Sequence, residues 1–167
     1  MRSAADSSKP GRLFAGTNNG AWRSEDEGKT WTRLGPGIPE GVAEAIAINP
    51  KNSAEILLAV NTWVPGKQYV GALLRSDDGG KSWKQLGGGM PETRITALAV
   101  DPVNPRFVYA GTEKGVFSTN DGGTSWAAFG GELNTPEVGA LALSTKAPAR
   151  IFAGTRGSGV VETTLAR

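Results

Sequence analysis

Ser76-Asp77-Asp78-Gly79-Gly80-Lys81-Ser82-Trp83 is one of three versions of a single phrase in this chain. The others are Ser24-Glu25-Asp26-Glu27-Gly28-Lys29-Thr30-Trp31 and Thr119-Asn120-Asp121-Gly122-Gly123-Thr124-Ser125-Trp126. All three reduce to [Ser/Thr]-x-Asp-x-Gly-x-[Ser/Thr]-Trp, and Asp26, Asp78 and Asp121 are separated by 52 and then 43 residues. A period of that size marks an architecture of repeated supersecondary units, each burying its apolar face on a neighbour. Repetition in phase also bears on function, because a residue present in every unit belongs to the scaffold first.

Outward from the phrase, further elements recur in the same order. Ahead of it lie Leu13–Thr17 (LFAGT), Leu57–Asn61 (LLAVN) and Val108–Thr112 (VYAGT), and a fourth copy stands at Ile151–Thr155 (IFAGT). Ahead of these come alanine-rich runs, Ala45–Asn49, Ala97–Asp101 and Ala140–Ser144. A short segment follows each tryptophan, as in Trp31–Leu34, Trp83–Leu86 and Trp126–Phe129. Period-2 alternation broken by turn residues predicts four antiparallel strands per repeat, which is one blade of a β-propeller. The alanine-rich strand suits the innermost position, where blades converge and large side chains collide.

The expected blades cover about residues 1–35, 43–87, 94–130 and, incompletely, 138–167 of a single domain. Residues 1–6 match 96–101 in spacing, so Met1–Ala5 reads as a degraded first strand. Gly159–Thr163 fits a third strand, with Thr164–Arg167 standing where the phrase belongs. Three to four blades leave open edges and apolar faces, which points to a small closed ring, a ring completed by self-association, or a piece of a larger ring. In this alignment Phe14, Tyr109 and Phe152 are level with Leu58, and Phe107 with Ile56, all as core.

Chemistry assigns the phrase a structural role. An aspartate in a tight turn accepts hydrogen bonds from nearby N–H groups, and the following glycine allows positive φ. The tryptophan buries a large ring against the blade. Ser24, Asp26, Gly28 and Trp31, with Ser76, Asp78, Gly80 and Trp83 and with Thr119, Asp121, Gly123 and Trp126, are therefore read as fastenings. Calcium is disfavoured, because only one acid is common to all copies and no distal bidentate glutamate follows.

The phrase resembles the Asp-box, or bacterial neuraminidase repeat, of sialidases, xyloglucanase-type glycoside hydrolases, sortilin-type receptors and photosystem II stability factors. The resemblance covers nearly the whole chain. It implies a propeller in which the box is a structural connection between outer strands, and it favours an extracytoplasmic setting, although the compartment stays open. Sialidase catalysis would further require an arginine cluster, a tyrosine nucleophile and a Phe/Tyr-Arg-Ile-Pro motif, which is lacking here.

Composition narrows the chemistry further. The chain has 167 residues, no cysteine and no histidine, which excludes disulfides, thiol nucleophiles, His-based triads and imidazole zinc sites. A net charge of +2 without a basic-aromatic stripe argues against nucleic acid. No apolar stretch reaches the length for membrane insertion. No metal, cofactor or catalytic residue is assigned.

If repeated residues are scaffold, a site belongs where the repeat is broken. Trp63 and Tyr69 have no counterparts and lie in a lengthened loop, Thr62–Gly71, expected on the face opposite the phrases. Trp63, Lys67, Gln68, Tyr69, Lys114 and Arg156 gather there as candidate ligand-binding residues, able to stack on a sugar ring or anchor a protein. The Pro39-Glu40, Pro91-Glu92 and Pro136-Glu137 loops bring carboxylates to the same face, where glycoside hydrolysis would need a pair. The main expectation is a non-catalytic scaffold that binds protein or carbohydrate. The alternatives are a glycoside hydrolase segment, and a propeller fragment or engineered repeat that self-assembles.

Overall fold

The computed structural model describes residues 2–133, 137–146 and 149–165. It is all-β among these residues apart from one 3-10 turn, Gly131–Leu133. The first sheet comprises β1 (Arg2–Ala5), β2 (Leu13–Thr17), β3 (Gly20–Ser24) and β4 (Thr32–Arg33). The second comprises β5 (Val42–Ile48), β6 (Ile56–Val64), β7 (Gln68–Ser76) and β8 (Lys84–Leu86). The third holds β9 (Ile95–Val100), β10 (Val108–Thr112), β11 (Gly115–Thr119) and β12 (Ala127–Ala128). The fourth holds β13 (Val138–Leu143), β14 (Arg150–Thr155) and β15 (Gly159–Thr164).

Every strand pairs antiparallel with its chain neighbour, and successive sheets stack face to face. The innermost strands β1, β5, β9 and β13 surround an axial cavity of about 170 Å³, with Ser3, Ala45, Ala97 and Ala140 among its walls. Three apolar seams hold the stack. The first joins Phe14 and Leu34 to Ile56, Leu58, Val60, Leu74 and Trp83. The second joins Leu57, Ala59 and Leu73 to Ile95, Val108, Ala110 and Trp126. The third joins Tyr109, Val116 and Leu133 to Val138, Ile151 and Ala153.

Pairing corrects one alignment. Ser24, Ser76 and Thr119 oppose Leu13, Ile56 and Val108, so Leu57, not Leu58, is level with Phe14 and Tyr109. Phe107 is correspondingly level with Glu55, not Ile56, since each carbonyl accepts from the turn residue of its own sheet, Asp101 and Asn49. Matching the alanines of LLAVN and VYAGT slips the register by one residue, which would send every side chain of β6 to the wrong face. The seams agree, because Leu58 faces the first sheet and Leu57 the third.

The three phrases have one geometry. Asp26 accepts from the Thr30 N–H at 2.9 Å, the Thr30 hydroxyl at 2.6 Å and the Ser24 hydroxyl at 2.8 Å. Asp78 and Asp121 repeat the pattern with Ser82 and Ser76, and with Ser125 and Thr119. These donors, the Thr30 hydroxyl first, hold the Asp26 carboxyl at a pKa of about 2, and the other two lower still. The phrases also lock sheet to sheet. Arg23 donates to the Gly79 carbonyl at 2.9 Å, and Arg75 to that of Gly122 at 3.1 Å.

Among the described residues, the first and fourth sheets are each left with an exposed side. Trp83 and Trp126 are 7% and 5% exposed, but Trp31, which no other sheet covers among the described residues, is 37% exposed. At the other end Val160 is 72% exposed, whereas its counterpart Val116 lies buried in the third seam.

Candidate functional site

The lengthened loop is an extension of the β6–β7 hairpin, not a free loop. Each strand runs for 9 residues, and the register continues through Trp63↔Tyr69 and Val64↔Gln68. Gly66 and Gln68 turn the chain with φ of 80° and 70°. Because residues opposed across a strand pair stand side by side, the two rings meet edge to face, with centroids 5.4 Å apart and planes at 74°. Trp63 is 59% exposed and forms the outer wall of the hairpin.

Tyr69 is tied to the next sheet. The Arg94 guanidinium lies 4.9 Å from its ring centroid and is held by Glu44 in a two-point contact at 2.7 and 2.8 Å. Those hydrogen bonds, ahead of opposing desolvation, raise the Arg94 pKa above its ordinary value. Glu44 also accepts from the Asn61 amide at 2.8 Å. Asn61 is fully buried and bonds both the N–H and the carbonyl of Ile95. The chain of contacts Asn61–Glu44–Arg94–Tyr69–Trp63 therefore joins an exposed indole to the rigid interior.

Around this chain lie the other acids and cations of the same face. Lys67 pairs with Glu92 at 3.0 Å, and the Lys114 ammonium donates to the Glu92 carbonyl at 3.1 Å. Arg94 approaches Glu113 at 3.9 Å, and Arg156 approaches Glu137 at 3.7 Å. Glu44, Arg94, Thr96, Glu113, Glu137 and Arg156 line a cavity of about 130 Å³.

Of the residues expected at the site, Trp63, Lys67, Gln68 and Tyr69 share the hairpin, while Lys114 and Arg156 occupy the corresponding turns of the third and fourth sheets. Glu92 draws Lys67 and Lys114 together, and Arg156 sits apart with Glu137 on the cavity rim. Glu40 holds the base of the hairpin through its carbonyl, which accepts from the Thr62 hydroxyl at 2.6 Å. Pro136 lies outside the described residues.

Sequence reading missed Glu44, Arg94 and Glu113. Glu44 had a signal. It occupies the irregular position between Ala43 and Ala45 in β5, where the third and fourth sheets carry Thr96 and Gly139. A bulge re-aims the side chain it carries, and here it turns the carboxylate toward Arg94.

The arrangement presents an aromatic surface beside fixed charged donors and acceptors, which suits a flat polyhydroxylated or peptide-like ligand. Glu44, Glu92, Glu113 and Glu137 each have a cation within 4 Å, so these acids position positive charge before they can transfer protons.

Similarity to known proteins follows the same lines. The chain is 30% identical over 122 residues to a xyloglucanase of Hypocrea jecorina, covering 63% of this chain and 14% of that protein. It is 32% identical over 127 residues to a probable oligoxyloglucan-reducing end-specific xyloglucanase of Neosartorya fischeri, covering 71% of this chain and again 14% of the relative. The chain thus spans only about one seventh of these relatives. Among solved structures, the GH74 xyloglucanase from Xanthomonas campestris superposes over 97% of this chain and 28% of its own, with a TM-score of 0.74 and 20% identity. YCF48 bound to D1 peptide superposes over 93% of this chain and 47% of its own, with a TM-score of 0.63 and 17% identity. No protein-family model matches. The sequence relatives are glycoside hydrolases, which favours the hydrolase-segment reading over the non-catalytic scaffold. What the structural likeness establishes is the fold: an all-β propeller arrangement of antiparallel sheets.

Proposed function

We propose that this chain is a segment of a xyloglucanase-type glycoside hydrolase, and that its own contribution is to bind the polysaccharide on the Trp63–Tyr69 face. The sequence similarity to xyloglucanases motivates the substrate. The observation that carries the binding role is the exposed indole of Trp63, braced through Tyr69 and Arg94 to buried Asn61. A rigid ring loses little entropy on contact, and the C–H face of a glucosyl unit packs against it while hydroxyl groups meet Glu92, Lys67 and Lys114. The paired state of the acids assigns them to orientation, with hydrolysis carried by groups beyond this face. The repeated phrase is, in the same reading, an Asp-box acting as a fastening, supported by its thrice-repeated hydrogen-bond pattern.

Titration calorimetry with xyloglucan oligosaccharides tests the proposal. Binding is expected, and Trp63→Ala should weaken it at least tenfold without changing the far-ultraviolet circular dichroism. Binding unaffected by Trp63→Ala, or none in the parent protein, would reject the assignment. Release of reducing ends from xyloglucan by this chain, lost in Glu113→Gln or Glu137→Gln, would move catalysis onto it.

A further inference from the structure

The first and second seams are alike in their apolar cores but not at their rims, and the first rim holds a site independent of the saccharide face. Strands alternate in direction, so the β1–β2 turn and the repeated phrases lie at the end of the stack away from the Trp63 hairpin. There the first and second sheets part around a cavity of about 490 Å³. Its walls carry Lys9, Arg12 and Arg23 from one sheet and Asn52, Ser53 and Lys81 from the other.

Three cations converge on one carboxylate. Glu25 takes Lys9 at 2.8 Å, Arg12 at 3.2 Å and Arg23 at 3.1 Å. Arg12 also reaches buried Asp6 at 3.3 Å, and Arg23 donates to the Gly79 carbonyl at 2.9 Å. These contacts use Nε and Nη1 of each guanidinium. Among the described residues neither Nη2 nitrogen donates a hydrogen bond, and the Lys81 ammonium has no partner. Asp78, the other acid of the wall, is taken up by the donors of its own phrase.

The second seam shows what the repeat does without this cluster. The Arg12 carbonyl accepts from the Asp6 N–H as that of Glu55 does from Asn49, so Lys9, Arg12, Arg23 and Lys81 correspond to Asn52, Glu55, Arg75 and Thr124. The first cleft sets four cations against Glu25 and Asp78. Equivalent positions of the second set Arg75 and Arg106 against Glu55, Asp77 and Asp121. With Glu55 in the place of Arg12, Arg75 finds a partner at 3.3 Å, and the space between Glu55, Arg75, Pro105 and Gly122 shrinks to about 20 Å³. Two guanidiniums cannot pair with each other, so the first cleft stays open and positive.

We infer that this cleft binds a phosphorylated sugar, its phosphate held by Lys9, Arg12, Arg23 and Lys81 and its hydroxyl groups by Asn52 and Ser53. Guanidinium forks match phosphate oxygens, and a dianion offsets the excess positive charge. The cavity is larger than a free phosphate ion needs and falls in the range of small-molecule sites, about 300–1,000 Å³. No aromatic ring among the described residues lines it, which suits a polar, polyhydroxylated body. Glu25 keeps the cations in register and competes with the phosphate for them.

Titration calorimetry of the intact chain with glucose 6-phosphate, at constant ionic strength, tests the inference. Saturable one-to-one binding is expected, tighter than that of inorganic phosphate and absent with glucose. It should weaken between about pH 8 and about pH 5, as the phosphate loses its second charge near a pKa of about 6. Lys9→Asn combined with Lys81→Thr, which installs the residues of the second cleft, should weaken binding at least tenfold, and Arg12→Glu should abolish it. Glu25→Gln should strengthen it several-fold. Lys29→Thr, in the first phrase but outside the cavity, should leave it unchanged, as should Trp63→Ala on the saccharide face. Circular dichroism confirms that each variant folds. No binding, inorganic phosphate binding as tightly, or equal losses in Lys29→Thr and the double variant would overturn the inference.

Discussion

Trp31 and Trp83 close the same phrase, yet one is partly exposed and packs nearest its own sheet, donating its indole N–H to the Gly28 carbonyl at 3.0 Å. The other is buried against a neighbouring sheet with its indole N–H unpartnered among the described residues. Replacing Trp83 by alanine removes a ring packed among Phe14, Leu34, Leu58 and Leu74, and should cost about 4 kcal/mol, the usual range for a buried aromatic. Trp31 is 37% exposed against 7% for Trp83. For a tryptophan burying up to about 250 Å², that difference is roughly 75 Å², worth about 2 kcal/mol at about 25 cal/mol per Å². Trp31→Ala should therefore cost only about 2 kcal/mol. Urea unfolding followed by circular dichroism, which does not depend on the removed fluorophore, compares the two at equal protein concentration. Trp126→Ala, at 5% exposure, serves as an internal replicate of Trp83→Ala. Equal losses at Trp31 and Trp83 would refute the reasoning, because they would mean that another surface already covers the first sheet.

Four further outcomes are expected. Arg94→Ala leaves the largely buried Glu44 carboxylate without its two-point partner, and should destabilise by about 1–2 kcal/mol after allowing for solvent screening, with Arg94→Lys intermediate; thermal melts check this. Acid should erode stability through the phrases. Asp26 ionises near 2 in the folded chain against 3.8 ordinarily, so its contribution is complete above about pH 4 and disappears as pH falls through 2; Asp26→Asn should flatten the loss in this window. Gly89 has φ of 83° and its would-be Cβ collides with the Trp126 carbonyl, so Gly89→Ala should cost about 2–3 kcal/mol in chemical denaturation. Gly66→Ala, at φ of 80° in open space, should cost about 1 kcal/mol.

The strand order was legible because each element is local. The Ser/Thr–Asp–Gly–Trp spacing marks a turn, the alternation beside it marks strands, and the alanines of β5, β9 and β13 do converge on the axis. The one-residue slip in β6 arose because Leu57, Leu58, Ala59 and Val60 are all buried, so alternation disappears where both faces of a strand are covered. At the candidate site, Trp63 and Tyr69 stood out as breaks in the repeat. Arg94 did not, since its partners Glu44 and Tyr69 come from another sheet, 50 and 25 residues away in the chain. Such pairing depends on how sheets stack and on the bulge that turns Glu44, neither of which has a local period.

The pairing of every strand with its immediate chain neighbour also governs how the molecule forms. Hairpin contacts close short loops, and among the described residues the three seams join consecutive sheets, so these contacts are short in sequence range. Assembly can then follow the order of synthesis, each sheet templating its successor as it leaves the ribosome. Arg23 and Arg75 act late in each such step, engaging only once the following phrase has folded, so they report completion of one sheet to the sheet before it.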